Sequence, residues 1–197
     1  NGYLENSNQC YAIAKIAGLK LCEAYRTQYN FDAISIMPSN LYGPGDNYHH
    51  QDSHVVASLI RKFSEAKRKN EKNVICWGSG NPLREFLYVD DLAEACFYVL
   101  KKWDPNKNNS PLDDYGNPLS WLNIGSKFEI TIKELAYKIS NLIGYKGDII
   151  WDQSKPDGTP RKKLDNHYIN KLGWQEKTNL ENGLKKSIKS FEKNFIL

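Results

Sequence analysis

The segment Phe31-Asp32-Ala33-Ile34-Ser35-Ile36-Met37, halted by Pro38, constrains the fold of this chain more than any other stretch. A short, mostly apolar run of this kind suits a buried strand, and a proline cannot continue a ladder that needs its N–H. Just before it, Ala12, Ile13, Ile16, Ala17, Leu19, Leu21 and Ala24 give a broad apolar face to a helix running to about Tyr29. Asn6, Ser7 or Asn8 can cap that helix, while Ala14, Ala17 and Gly18 leave room for close packing. A helix that delivers the chain into a buried strand is a unit of a parallel sheet, so the predicted fold class is α/β. Residues 38–47 then crowd the strand's carboxyl end with turn formers, the edge at which open α/β sheets bind ligands.

The rest of the chain continues the alternation. Ser53 is placed to cap a helix from about His54 to Lys69, with Val55, Val56, Leu59, Ile60 and Phe63 inward and a basic outer side. Residues 74–77 and 84–89 read as extended segments around the turn Gly78-Ser79-Gly80-Asn81-Pro82. Asp90 or Asp91 is the expected cap of a helix to about Lys102, and the polar residues 104–118 form a surface loop. A short strand at 122–125 precedes Thr131-Ile132-Lys133-Glu134, a capping box opening a helix to about Ile143. A strand at 148–151, a basic loop at 153–163 and two helices complete the chain, the first capped by Asp165 and ended by Gly173.

Composition narrows the function classes. With 40% hydrophobic and 25% charged residues, the chain is an ordinary globular one. A net charge of +4, from 27 basic against 23 acidic residues, is too balanced to imply nucleic acid and suits an anionic small molecule equally well. Cys10, Cys22, Cys76 and Cys96 form no C-x-x-C pair, so neither a metal site nor a disulfide framework is expected and a reducing compartment is favoured. No apolar run reaches the ~20 residues that span a bilayer, and no signal-peptide pattern is visible, so a cytoplasmic protein without membrane contact is expected.

The chemistry-bearing motif is Tyr11-Ala12-Ile13-Ala14-Lys15. Residues four apart on a helix share a face, so the phenol and the ammonium can address one site. A nearby fixed cation favours phenolate, which equips a tyrosine to exchange a proton with a carbonyl oxygen as it is reduced. Such a pair also arises readily on a solvated helix face.

Taken with residues 38–44 and Arg84-Glu85-Phe86-Leu87-Tyr88-Val89-Asp90-Asp91, in that order, the motif resembles the extended short-chain dehydrogenase/reductases that act on nucleotide sugars. Within that group the likeness is to the GDP-L-fucose synthase family. It is carried by residues 11–18, 40–47, 53–55 and 77–80 and by Lys155-Pro156-Asp157-Gly158-Thr159-Pro160-Arg161-Lys162. The resemblance implies an NADP(H)-dependent, homodimeric enzyme that epimerises GDP-4-keto-6-deoxy-D-mannose at C3 and C5 and reduces its C4 ketone. It covers only the later part of such a protein, without the Gly-rich dinucleotide turn, and implies that these 197 residues do not catalyse alone.

Carried over, the family implies Tyr11 as proton donor, Lys15 as its partner at the nicotinamide ribose, and His54 as the acid or base of epimerisation and a cofactor contact. Pro38, Ser39, Asn40 and Leu41 match the family's loop at the nicotinamide end, Arg84 its diphosphate-binding arginine, and Trp77 a substrate contact. Lys62 stands where the family has a second substrate-binding arginine, keeping the charge but losing the guanidinium fork. Arg161 could close over the nucleotide. Plainer readings stand beside these: His54 as a helix-start residue, Trp77 as a core aromatic, Pro38 and Asn40 as a strand stop and a turn, and the basic loop as solvated surface. The expected domains are residues 1–50, the end of a Rossmann-type domain, and 51–197, mainly a smaller α/β substrate-binding domain, with 84–102 and 120–125 returning to the first. Rival functions are another nucleotide-sugar epimerase, dehydratase or 4-reductase, and a non-catalytic nucleotide-sugar-binding module.

Overall fold

The computed structural model describes residues 4, 6–107, 110–113 and 115–195, and the backbone of Ser7. A 3-10 turn at Asn6–Asn8 leads into α1, Gln9–Tyr29. Of the three capping candidates, Asn8 takes the N-cap position without a side-chain hydrogen bond, and the side chain of Ser7 lies outside the described residues. Asn30 ends the helix in the left-handed region at φ 52°, a conformation asparagine tolerates better than most residues.

The strand after it, β1, is shorter than predicted, Ser35–Pro38. Residues 31–34 form no ladder: Ala33 N–H donates to the Phe31 carbonyl at 2.8 Å, and Arg26 binds the Asp32 carboxylate at 2.9 Å and the Ala33 carbonyl at 3.2 Å. Phe31 therefore stays exposed, edge-on to Tyr25. β1 runs parallel to β5, Trp121–Ile124, with Ser35 opposite Trp121. Ser39 N–H makes a last bond to the Ile124 carbonyl, after which β2, Asn40–Tyr42, pairs in parallel with β4, Leu83–Tyr88. The chain thus changes partner at Ser39.

β4 is shared by two cores, because successive side chains of a strand face opposite ways. Leu87 points into a cluster with Leu122 and Ile124 of β5, Ala95 and Val99 of α3 (Val89–Lys102), and Ile169 of α5 (His167–Lys171). Phe86 and Tyr88 join the larger cluster, with Tyr42 of β2. Its helices are α2 (Val55–Lys69), α4 (Ile132–Ile143) and α6 (Leu180–Phe195), which bury Ile60, Phe63, Leu135, Ile139 and Leu184. β3 (Asn73–Trp77) and β7 (Asp148–Asp152) form a parallel pair at its edge, adding Val74 and Cys76. β6 (Glu129–Thr131) pairs antiparallel with the edge of β4 opposite β2, and β8 (Arg161–Lys162) pairs in parallel with the start of β4 on the β2 side.

The capping box at Thr131 and Glu134 is present. Three other caps differ from expectation. His54, not Ser53, precedes α2; Tyr88 precedes α3; and Asn166, one residue past Asp165, precedes α5. Asp91 lies inside the first turn of α3, and its carboxylate instead accepts from Lys177 N, Thr178 N and Thr178 Oγ1. Among the described residues no helix is long and apolar enough to cross a membrane, and all four cysteines are free thiols.

Candidate active site

Where β2, the end of β3 and the start of β4 converge, a cleft of about 240 Å³ opens, lined by Asn40, Trp77, Pro82, Arg84, Phe86 and Asp157. Asn40 is held by donating its Nδ2 to the Glu85 carbonyl at 2.9 Å, so the β2–β4 pairing sets its position. Arg84 ties one guanidinium nitrogen to the Leu83 carbonyl at 2.8 Å; among the described residues no carboxylate pairs with it. Trp77 is 68% exposed, because it sits on the outward side of β3 while Val74 and Cys76 face the core. A second cleft of about 300 Å³ shares Val55, Trp77 and Ile132 with the first and adds Lys62, Cys76 and His50. Lys62 Nζ donates to the Ile75 carbonyl at 3.0 Å and stands 5.8 Å from the centroid of the Trp77 ring. Lysine and tryptophan so placed attract each other through the ring quadrupole. Burial pushes the Cys76 thiol up, against the opposing pull of Lys62, which leaves a neutral thiol in the wall.

The third side of the cleft comes from the 153–160 loop. The Asp157 carboxylate accepts from Ser79 N at 2.6 Å and from Ser79 Oγ at 2.7 Å, and these bonds hold its carboxyl below the usual range. The approach is so close that a side chain at Gly78, which is at φ 78°, would run into that carboxylate. Asp157 and Ser79 were not among the sequence-derived candidates. Their signal lay in two turns, Gly78-Ser79-Gly80 and Pro156-Asp157-Gly158, neither of which names the other as its partner.

The remaining candidates lie apart from these linings. Lys15 Nζ is 5.4 Å from the Tyr11 ring centroid, so the two do share a face of α1, and Tyr11 is 60% exposed. Pro38 closes β1, and Leu41 packs against the β5 core. The Ser39 hydroxyl is buried and has no hydrogen-bond partner among the described residues. His54 is exposed at the N-cap of α2, its carbonyl accepting from Ser58 N, between Ser53 and Val55 of the cleft walls. Arg161 turns to Glu129, donating Nε to Oε1 at 2.7 Å and Nη2 to Oε2 at 2.6 Å. With Lys163 also on Oε2, the Glu129 carboxyl is pulled down to about 2. Arg161 thus braces β8 against β6 and does not line the cleft around Arg84.

Residues 2–112 match the model of the NAD dependent epimerase/dehydratase family, more than half of the chain. The chain belongs to this family. It is 48% identical over 196 residues to "Probable GDP-L-fucose synthase 1" of Oryza sativa subsp. japonica, covering 100% of this chain and 56% of the relative. A solved GDP-6-OMe-4-keto-L-xylo-heptose reductase from C. jejuni superposes with a TM-score of 0.88 at 29% identity, over 98% of this chain and 63% of that one. A GDP-L-fucose synthetase from Naegleria fowleri bound to NADP gives 0.83 at 26% identity, over 99% and 59%. This epimerase/dehydratase chain has their Rossmann-type α/β fold and spans less than two thirds of the length of each.

Proposed function

We propose that this chain contributes to a GDP-L-fucose synthase, which epimerises GDP-4-keto-6-deoxy-D-mannose at C3 and C5 and reduces the C4 ketone at the expense of NADPH. The observation that carries the reading is the convergence of Asn40, Trp77 and Arg84 on one cleft, with Lys62 beside it, in a chain 48% identical to a relative bearing that name. An aromatic face, a guanidinium with donors to spare and an ammonium suit a nucleoside diphosphate sugar. On this reading residues 1–50, with 84–102 and 120–125, belong to the Rossmann-type part, and most of 51–197 to the substrate-binding part. The β5 core and the α2–α4–α6 core support that division.

The residues present fit the nicotinamide end of NADP(H). Tyr11 and Lys15 offer an exposed phenol and ammonium on one helix face, and the Ser39 hydroxyl, buried without a partner among the described residues, lies at the carboxyl end of β1. Pro38, Asn40 and Leu41 extend that edge, with His54 at the start of α2. When bound, NADPH supplies a hydride. Tyr11 gives a proton to the C4 oxygen, Lys15 orients the ribose and the phenol, and His54 exchanges protons at the carbons beside the ketone. Arg84 and Lys62 fix the diphosphate, and Trp77 covers the nucleotide. The ion pair with Glu129 leaves Arg161 a supporting part in this scheme, holding β8.

A homodimer belongs to the same proposal, supported by the apolar side chains that α1 leaves exposed, Ile13, Ile16, Leu21 and Tyr25. So does a cytoplasmic setting, which four free thiols favour. The test joins this chain to the amino-terminal part of the rice relative and follows NADPH oxidation and deuterium uptake at C3 and C5. Tyr11→Phe is expected to keep the exchange and to slow reduction by about 10²–10⁴-fold; unimpaired oxidation would sink the assignment. The TM-score of 0.88 to a GDP-sugar reductase supports a second reading, 4-reduction without epimerisation. His54→Ala decides between them, since deuterium uptake unchanged by that substitution favours the reductase.

A further inference from the structure

The nucleotide-sugar reading leaves one charged side chain of the cleft rim unused. Lys155 Nζ stands 5.8 Å from the Trp77 ring centroid, the same distance as Lys62 Nζ. Two ammonium groups about one exposed indole repel each other, and among the described residues neither makes an ion pair. Asp152 interacts with the Lys155 charge at longer range, while its Oδ1 is taken up by Ser154 N at 3.0 Å and Ser154 Oγ at 2.6 Å. Asp157 is likewise occupied by Ser79. Arg84, unpaired with any carboxylate among the described residues, lines the same cleft as Trp77 and Pro156. The surface thus gathers three cations while its carboxylates are turned to backbone and hydroxyl donors.

Lys155 is also held in place. Its N–H donates to the Asp152 carbonyl at 3.2 Å, Pro156 fixes the next φ, and two residues further Asp157 is fastened to the Gly78–Gly80 turn, the turn that follows Trp77. A lysine on a loop tied at both ends loses less freedom on binding an anion than one on a free loop.

We propose that Lys155 binds the diphosphate of the substrate as a third cation beside Lys62 and Arg84, and that the Ser79–Asp157 hydrogen bonds position it; this rests on the nucleotide-sugar reading of the cleft. A diphosphate carries enough negative charge to offset the repulsion, whereas a monophosphate engages fewer of the cations.

The experiment titrates GDP and GMP into the 197-residue chain at low salt by calorimetry. Lys155→Ala is expected to weaken GDP about tenfold and GMP less than about threefold, with Lys155→Arg restoring GDP binding. Ser79→Ala is expected to weaken GDP by about three- to fivefold alone, and to add nothing in the Lys155→Ala background, because it acts through that lysine. GDP affinity within twofold of the parent in Lys155→Ala, while Arg84→Ala loses it, overturns the role of Lys155 and leaves the cleft reading standing. If the parent chain takes up no GDP, the cleft reading falls and this inference with it.

Discussion

Helices α1 and α2 carry comparable apolar side chains and meet opposite fates. α1, 21 residues long, buries none of them in this chain; α2, with 15, buries eight residues, among them Leu59, Ile60 and Phe63. α2 lies between β3, α4 and α6, whereas among the described residues the side-chain hydrogen bonds and ion pairs from α1 to the rest of the fold are made at its carboxyl end, through Arg26 to Asp32, Ala33 and Asp104. The difference teaches that apolar content alone does not bury a helix: α2 gathers its apolar side chains on one face that meets partners, whereas those of α1 are spread around it. It also separates the proposed chemistry into two parts. The substrate cleft is built on the anchored helix, and the Tyr11–Lys15 pair on the helix that packs least.

The comparison can be broken most easily in the α2 core. Phe63→Ala empties a fully buried ring position and is expected to cost about 3–5 kcal/mol in urea unfolding. Next, Thr131→Ala removes the hydroxyl half of the α4 capping box, leaving the bond from its backbone N–H to Glu134, and is expected to cost about 1 kcal/mol. A smaller effect follows pH. The Glu129 carboxyl, held at about 2 against an ordinary 4.5, contributes stability that is fully present above pH 4.5 and is lost as pH falls toward 2. Arg161→Ala should flatten that part of the stability curve; an unchanged acid limb would show that this exposed pair contributes nothing. The smallest effect is expected on α1, where Ile16→Ala should shift stability by less than about 0.5 kcal/mol. A cost like that of Phe63→Ala would mean that α1 is packed in solution and would erase the contrast.

Legibility from sequence followed the same division. The core faces of α2 and the Thr131–Glu134 box could be read because their signals are local, spaced within one or two turns. Trp77, Arg84 and Asn40 were reached only through the resemblance of their motifs to the family, since locally they read as a core aromatic, a strand residue and a turn. What escaped depends on partners far along the chain. β2, β6 and β8 are only two or three residues long and exist because β4 offers them an edge. Asp91 reads as a helix cap until Lys177 and Thr178 arrive beside it, and Arg161 reads as a free cation until β6 brings Glu129. Glu85, 1% exposed with its pKa raised by burial, accepts from Leu164 N, a contact no local pattern announces.

The single strand β4 has a consequence for how the protein is made. Its residues pair with β2, made before it, and with β6 and β8, made well after; Leu83 N–H waits for the Pro160 carbonyl. At a ribosomal pace of about 5–20 residues per second, the edge that will carry the cleft stays unpaired on the order of ten seconds. During that interval the nascent chain presents an open strand next to an unfinished core, the kind of surface that chaperones and neighbouring chains compete for. The cleft is therefore among the last features to be completed in synthesis.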